Sequence, residues 1–461
     1  MKTIERDLVV LGGGPGGYTA AFRAADLGRS VTLIEKDSVL GGVCLNRGCI
    51  PSKTLLHYAE VVEEVVKVAP LGLLYSAPTF NLDKIREHKE DVIKRLNNGL
   101  SALAKARNVE VIEGFGTLKS SNELIVGETL IKFNDLIIST GSRPAQISGI
   151  PYDDERVWDS NDALLLKEVP SHLAIIGGGI IGLEMAAIYH ALGSKITIIE
   201  MADSIIPSAD KDLKAPLIKA IKDKYNAIYT RTKVEKLEAT KEKLILHLDN
   251  TSQVEADALL VAVGRRPNSD TITLENTAVK VNQRGFIMVD EELKTNVEHI
   301  YAIGDVTGDP MLAHRAAHQG KVAAEVASGE KSAFTPLGIP SVAYTHPEIA
   351  WVGLTENEAK ERGIEYVKGS FPWQASSRAM SALSESGVTK ALFEKNSKRL
   401  IGAGITGKNA GELISEALLA LEMGAVSEDI ALSIHAHPTL SETLAIAAEL
   451  VEKRATDTLN R

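Results

Sequence analysis

The sequence contains only two cysteines, both within Gly41-Gly-Val-Cys44-Leu-Asn-Arg-Gly-Cys49-Ile-Pro51-Ser-Lys53. On an ideal helix this spacing turns the two side chains well off a common face, because successive residues rotate by about 100°. Asn46, Arg47 and Gly48 are therefore expected to form an irregular turn. Such a turn would bring the Cα atoms within the roughly 7 Å that a disulfide requires. Pro51 suits the first turn of a following helix, where its missing N–H costs nothing. Cys49 would then sit near a helix N-terminus, whose partial positive charge favours a thiolate. Two buried apolar thiols are the plain alternative. A zinc site is another, although the pair lacks the further ligands of a closed site. The surroundings favour a redox-active disulfide: a nucleotide-binding pattern precedes the pair, and Lys53 follows Cys49 by four residues.

A second constellation lies near the C-terminus in Ser433-Ile-His435-Ala-His437-Pro438-Thr-Leu-Ser-Glu442. The His-x-His pair could hold a metal or be two satisfied surface histidines. The spacing from His437 to Glu442 also lets a carboxylate fold back onto an imidazole, the orienter-plus-base arrangement of proton transfer.

The elements that must position these residues read as nucleotide-binding units. Asp7-Leu-Val-Val-Leu11 is a short apolar run, as in a buried parallel strand. Gly12, Gly14 and Gly17 follow in G-x-G-x-x-G spacing, then a helix to Gly28, then Val31-Thr-Leu-Ile-Glu35. The glycines let backbone approach a pyrophosphate at a helix N-terminus, and Glu35 can accept from a ribose hydroxyl. The pattern repeats after His172-Leu-Ala-Ile-Ile176, with Gly177, Gly179 and Gly182, Glu184 on the helix, and Glu200 closing Lys195-Ile-Thr-Ile-Ile. Two intact copies imply two dinucleotides. Glu200 suits a free ribose hydroxyl and repels a 2′-phosphate, and Met201–Pro207 contains no arginine to bind one, so the second ligand is expected to be NAD rather than NADP.

Residues 52–69 and 81–107 show helical spacing. Strands are expected at 109–113, 123–126 and 131–133, and a buried strand from Asp135 ends at Thr140-Gly141-Ser-Arg-Pro144. Further strands are expected at 228–237, 243–248 and 257–263, the last running into Gly264. Asp305 closes a third buried strand, where it could cap a helix at 311–328 and, compatibly, accept from the sugar-alcohol chain of a flavin. Beyond about 341 no glycine fingerprint remains. Antiparallel strands at 342–353, 364–373, 388–394 and 400–406 are followed by helices at 409–424 and 427–432, and a last helix runs to about 453.

The formal net charge is −10 and no basic stripe tracks the chain, which argues against nucleic acid as a partner. No apolar run reaches the roughly 18 residues of a membrane span. The N-terminus lacks a signal-peptide core, so a cytoplasmic location is expected.

Seven stretches, in order, carry a resemblance: GGGPGGYTAA (12–21), GGVCLNRGCIPSK (41–53), STGSRP (139–144), GGGIIGLE (177–184), YAIGDV (301–306), YTHPEIAWVG (344–353) and HAHPTLSE (435–442). The chain resembles the pyridine-nucleotide disulfide oxidoreductases over essentially its whole length. The resemblance implies an α/β fold with two Rossmann-like dinucleotide-binding domains and a C-terminal α+β dimerisation domain. The FAD domain would take 1–145 and 268–340, the NAD domain 146–267, and the interface domain 341–461. FAD would sit on Gly12, Gly14, Gly17 and Glu35, with Asp305 on its ribityl chain and Lys53, paired with Glu184, beside the ring. NAD would use Gly177, Gly179, Gly182 and Glu200. Thr140, Gly141 and Gly264 are counted with the cofactor-binding positions. Cys44 would exchange with substrate, Cys49 would face the flavin, and His437, held by Glu442, would be the acid–base group entering the site of a second subunit. The similarity is strongest to members that oxidise protein-bound dihydrolipoamide with NAD⁺. It therefore implies a homodimer serving a dihydrolipoyl acyltransferase core of 2-oxo acid dehydrogenase complexes or a glycine-cleavage lipoyl protein. Two departures from some relatives are noted: no appended lipoyl domain is expected ahead of the first strand, and the absence of a C-terminal cysteine pair argues against a mercuric reductase.

Overall fold

The computed structural model describes residues 2–76 and 78–460; residues 1 and 461, the outer limits of the expected domains, lie outside the described residues. The chain forms two compact units. One comprises the residues up to Thr54 with Asn81–Ala145 and Gly264–Thr335. The other comprises Leu55–Phe80, Gln146–Val263 and the residues from Pro336 onward.

The first unit is built on a seven-stranded sheet. Its parallel part runs Glu110–Glu113, Val31–Glu35, Lys2–Leu11, Thr129–Ile138 and Ile300–Ala302. Leu8, Val9 and Val10 are wholly buried, as an unbroken apolar run requires when helices or strands cover both faces. The two strands expected at 131–133 and from Asp135 are one strand, Thr129–Ile138. Four helices matter for the site: α1 (Pro15–Asp26), α2 (Gly42–Arg47), α3 (Cys49–Val68) and α4 (Leu82–Ala106). A Cβ on Gly320 of the helix Ala313–Ala327 would lie 2.5 Å from Gly16 O, so that helix and α1 pack with their backbones nearly touching.

The second unit repeats the parallel design with Ala227–Tyr229, Lys195–Ile199, His172–Ile176, Ala258–Val261 and Val157–Trp158. An antiparallel sheet of Val234–Ala239, Leu244–Leu248 and Gln253–Ala256 follows the same segment. The C-terminal part is α+β: five antiparallel strands between Ser341 and Gly407, covered by Ala410–Glu422, Ser427–Leu432 and Glu442–Val451. Lys390, 2% exposed, points its Nζ at Asp210 Oδ2 (2.7 Å), Asp212 Oδ1 (2.6 Å) and Glu356 Oε1 (2.9 Å). Among the described residues, no helix is long and apolar enough to cross a membrane.

The fold class is as expected, and three local expectations are corrected. The strand at 228–237 is two strands in different sheets, broken where Arg231 adopts a positive φ of 53°. The strand at 342–353 is a hairpin of Ser341–Ala343 and Glu348–Gly353, because Pro347 cannot donate to a ladder and Thr345 Oγ1 donates to Pro347 O, closing the turn. The helix beyond Asp305 begins at Ala313 with Leu312 as its cap. Asp305 lies instead in a short 3₁₀ turn, Gly304–Thr307, and caps no long helix.

Candidate active site

The dithiol is not carried on an irregular turn at 46–48. Residues 42–47 are helical, and a single residue, Gly48 (φ −144°, ψ −105°), separates α2 from α3. A Cβ on Gly48 would meet Val43 O at 3.0 Å, so the sharp change of direction favours glycine there. The break replaces the continuous-helix geometry that would point the sulfurs apart. The Cys44 thiol is hydrogen-bonded to Cys49, with Cys44 half-buried and Cys49 exposed. That hydrogen bond, burial and the charge of Cys49 raise the Cys44 pKa, while Lys53, further along α3, opposes the shift. The pair is thus held with Cys44 protonated. Cys49 opens α3, and Ser52 N donates back to Gly48 O at 3.0 Å.

The two glycine loops have the same geometry. A Cβ on Gly12 would lie 2.3 Å from Ser139 O, and one on Gly17 would lie 1.7 Å from Gly12 O. The corresponding distances in the second loop are 2.4 Å from Gly177 to Ala262 O and 2.1 Å from Gly182 to Gly177 O. These glycines let strand, turn and helix meet. The middle glycines differ: Gly14 would meet only Gly42 Cα at 4.0 Å, and Gly179 nothing within 4 Å. Each leaves open space at the N-terminus of a helix, where an anion is favoured. Glu35 Oε2 accepts from Gly13 N at 2.5 Å and Glu200 Oε2 from Gly178 N at 2.6 Å, so both carboxylates stand at the loop mouth.

Beside the first loop, the Thr140 hydroxyl is buried with no partner among the described residues, and Gly141 (φ 68°) follows with no described atom near its missing Cβ. Gly264 (φ 115°) has the same open surroundings. Asp305 Oδ2 accepts from Ser142 Oγ at 2.5 Å, and Arg265 Nε donates to that hydroxyl at 2.7 Å. An orphaned hydroxyl, an open glycine cradle and acids at both loop mouths fit two dinucleotides. In the second unit Glu184 is buried and accepts from Tyr344 N at 3.2 Å.

His437 and Glu442 meet as the spacing allows. His437 Nδ1 lies 2.9 Å from Glu442 Oε1, and Thr439 N donates to Oε2 at 2.6 Å. Glu442 is the first residue of its helix, where the dipole favours its charge. The His437 side chain is 72% exposed, and Nε2 is the nitrogen turned away from Glu442. His435 turns to a different acid, Glu416, at 2.6 Å, with Ser433 O at its other nitrogen. The two imidazoles therefore do not converge on a shared metal. Sequence reasoning missed the half-buried couple of Lys67 Nζ and His346 Nε2, 2.5 Å apart, and the amide of Asn97 under α2. Asn97 lies in no motif, and nothing in the 344–353 stretch that contains His346 points to Lys67.

Residues 6–320 match the family model for pyridine nucleotide-disulphide oxidoreductases, and residues 339–448 match the dimerisation domain of that family. The chain belongs to this family; it is an oxidoreductase that uses FAD and NAD(H), with a dimerisation domain at its C-terminal end. It is 51% identical to the dihydrolipoyl dehydrogenase of Vibrio cholerae, over 100% of this chain and 98% of that one. It is 44% identical to the dihydrolipoyl dehydrogenase of Thermus scotoductus, over 100% of both. Among solved structures, it resembles the HOCl-induced flavoprotein disulfide reductase RclA from Escherichia coli (TM-score 0.87, 29% identity, 96% and 100% covered). It also resembles LpdA from Mycobacterium tuberculosis (TM-score 0.90, 25% identity, 97% and 99% covered).

Proposed function

We infer that this chain catalyses the dihydrolipoyl dehydrogenase reaction, the oxidation of protein-bound dihydrolipoamide with reduction of NAD⁺ to NADH. The observation that carries this reading is the thiol pair Cys44–Cys49, held side by side in the unit that also bears the first glycine loop. Full-length identity to relatives of that name supports it. Bound FAD and NAD supply the two-electron chemistry.

The chain's own residues handle sulfur and protons. In the oxidised pair, a substrate thiolate attacks Cys44 Sγ, the Cys44–Cys49 bond breaks, and Cys49 leaves as a thiolate. The second substrate thiolate then attacks the substrate sulfur bound to Cys44, which closes the lipoamide disulfide and releases Cys44. His437 Nε2 takes the proton of each substrate thiol in turn, releasing the first to solvent before the second transfer, while Glu442 holds Nδ1–H and fixes the tautomer. Gly12, Gly14, Gly17, Glu35, Thr140, Gly141 and Asp305 would hold FAD, with Lys53 at the ring. Glu184 would pair with Lys53, Gly177, Gly179, Gly182 and Glu200 would serve NAD, and Gly264 is counted with the cofactor-binding positions.

The domain assignment that goes with this reading is 1–145 and 268–340 for FAD, 146–267 for NAD and 341–461 for the interface of a homodimer. The partner class is a dihydrolipoyl acyltransferase core of 2-oxo acid dehydrogenase complexes, or a glycine-cleavage lipoyl protein, in the cytoplasm. The test compares dihydrolipoamide plus NAD⁺ with NADPH plus glutathione disulfide on the purified holoprotein. Fast NADH formation in the first assay and little turnover in the second is expected; the reverse would replace this reading with a glutathione-type reductase.

A further inference from the structure

We propose that Asn97, acting through Asn46, is a positioning residue for the dithiol. The proposal rests on reading Cys44 as the thiol that exchanges with substrate. Asn97 belongs to the buried face of α4, with Ile85, Lys89 and Ile93, and is itself 8% exposed. Its Nδ2 donates to Asn46 Oδ1 at 2.9 Å. Asn46 Nδ2 donates in turn to Leu40 O at 3.1 Å and Gly42 O at 3.0 Å.

The direction of this chain of bonds is forced. Backbone carbonyls only accept, so the Asn46 amide nitrogen must face Leu40 and Gly42. Its oxygen must then accept, and Asn97 must present its nitrogen. The same logic strands Asn97 Oδ1, which is buried with no partner among the described residues. An unsatisfied buried acceptor costs stability, so packing alone gives no reason for an amide here. A leucine would fill the site without the orphan.

The segment tied down needs an external anchor. Gly41 (φ 104°) and Gly42 (φ 57°) both have left-handed backbone, and α2 has only six residues, too short to hold itself as a helix. Asn46 lies two residues after Cys44 and joins both ends of this short segment to the 25-residue α4. The placement of Cys44 against Cys49 at the head of α3 is therefore referenced to α4 through two amides. Small misplacements of reacting groups are costly in rate.

The test uses the holoenzyme as wild type, N97L, N46L and N97L/N46L, with N97A in case the larger side chain does not fold. Two quantities are read: the iodoacetamide labelling ratio of Cys44 to Cys49 in the reduced enzyme as a function of pH, and dihydrolipoamide turnover beside NADH–ferricyanide turnover, which bypasses the dithiol. Loss of the Asn97 amide is expected to shift the labelling profile and lower dihydrolipoamide turnover about tenfold, with ferricyanide turnover nearly unchanged. The double variant should be no worse than N46L, because the two residues act in series. An unchanged labelling profile in N97L and N97A, an equal fall in both activities, or additive losses in the double variant would each overturn the proposal. Failure of the wild type to oxidise dihydrolipoamide would instead overturn the functional reading, and the labelling profile would still decide the role of Asn97.

Discussion

His437 and Glu442 share one short hydrogen bond, Nδ1 to Oε1 at 2.9 Å, while Thr439 N clamps the second carboxylate oxygen at 2.6 Å. The acid is locked at both oxygens, so it fixes the imidazole rather than following it. His437→Gln is expected to slow thiol exchange by about 10²–10⁴-fold, the usual contribution of general acid–base catalysis. Glu442→Gln should cost less, because the histidine remains and loses only its orientation. Stopped-flow measurement of the dihydrolipoamide half-reaction checks both; a near-normal His437→Gln rate would move the base elsewhere.

The glycine loops give an asymmetric expectation. Gly17→Ala would drive a methyl to 1.7 Å from Gly12 O and should yield no folded protein. Gly14→Ala meets nothing closer than 4.0 Å and should fold, yet bind less FAD because the methyl occupies the phosphate's approach. Gly179→Ala should keep FAD and raise the KM for NAD⁺. The ratio of flavin to protein absorbance, with circular dichroism as the fold control, separates these outcomes.

Cys49→Ser and Cys44→Ser should each retain FAD and abolish dihydrolipoamide oxidation, since a single thiol cannot close the exchange cycle. Normal turnover in either variant would remove the pair from the mechanism.

Glu200 is expected to discriminate between the two nicotinamide cofactors. Its carboxylate is held by Gly178 N and Ala202 N, and a negative charge there would repel a 2′-phosphate. Glu200→Ser should weaken NAD⁺ binding and narrow the gap between NADH and NADPH, measured as the ratio of their kcat/KM values.

His346 supplies a pH signature. Burial and the Lys67 ammonium lower its pKa to about 4, so the folded protein holds it neutral against Lys67 Nζ. Glu63 and Glu64 pull the other way, and Lys224 adds to the lowering. In the unfolded chain a histidine takes its proton at about 6.5. Stability from this group is therefore complete above about 6.5 and is lost as pH falls toward 4, by up to about 3 kcal/mol. His346→Gln should flatten that part of the pH dependence of urea unfolding.

The nucleotide loops, their acids and the cysteine pair were legible because each is written in one contiguous stretch whose spacing encodes the geometry. The helical state of 42–47 was not: the cysteine spacing points to an irregular turn of Asn46, Arg47 and Gly48, although only Gly48 breaks the helix. Asn97 and Asn46 are 51 positions apart, and Lys390 and Asp210 are 180 apart; no local pattern links such partners, so only the fold reveals them. The misplaced Asp305 cap has a similar origin. A strand-end acid looks alike whether it caps a helix or, as here, takes the Ser142 hydroxyl.

Three carboxylates gathered around one centre are what calcium-dependent folds use as a clasp. Here the cation filling that centre is Lys390, bonded to the chain itself. A tethered counter-ion cannot be stripped by a chelator or exchanged for a competing metal, so EDTA should leave the melting temperature unmoved. The fastening travels with the gene product and asks nothing of the ionic composition of the cell.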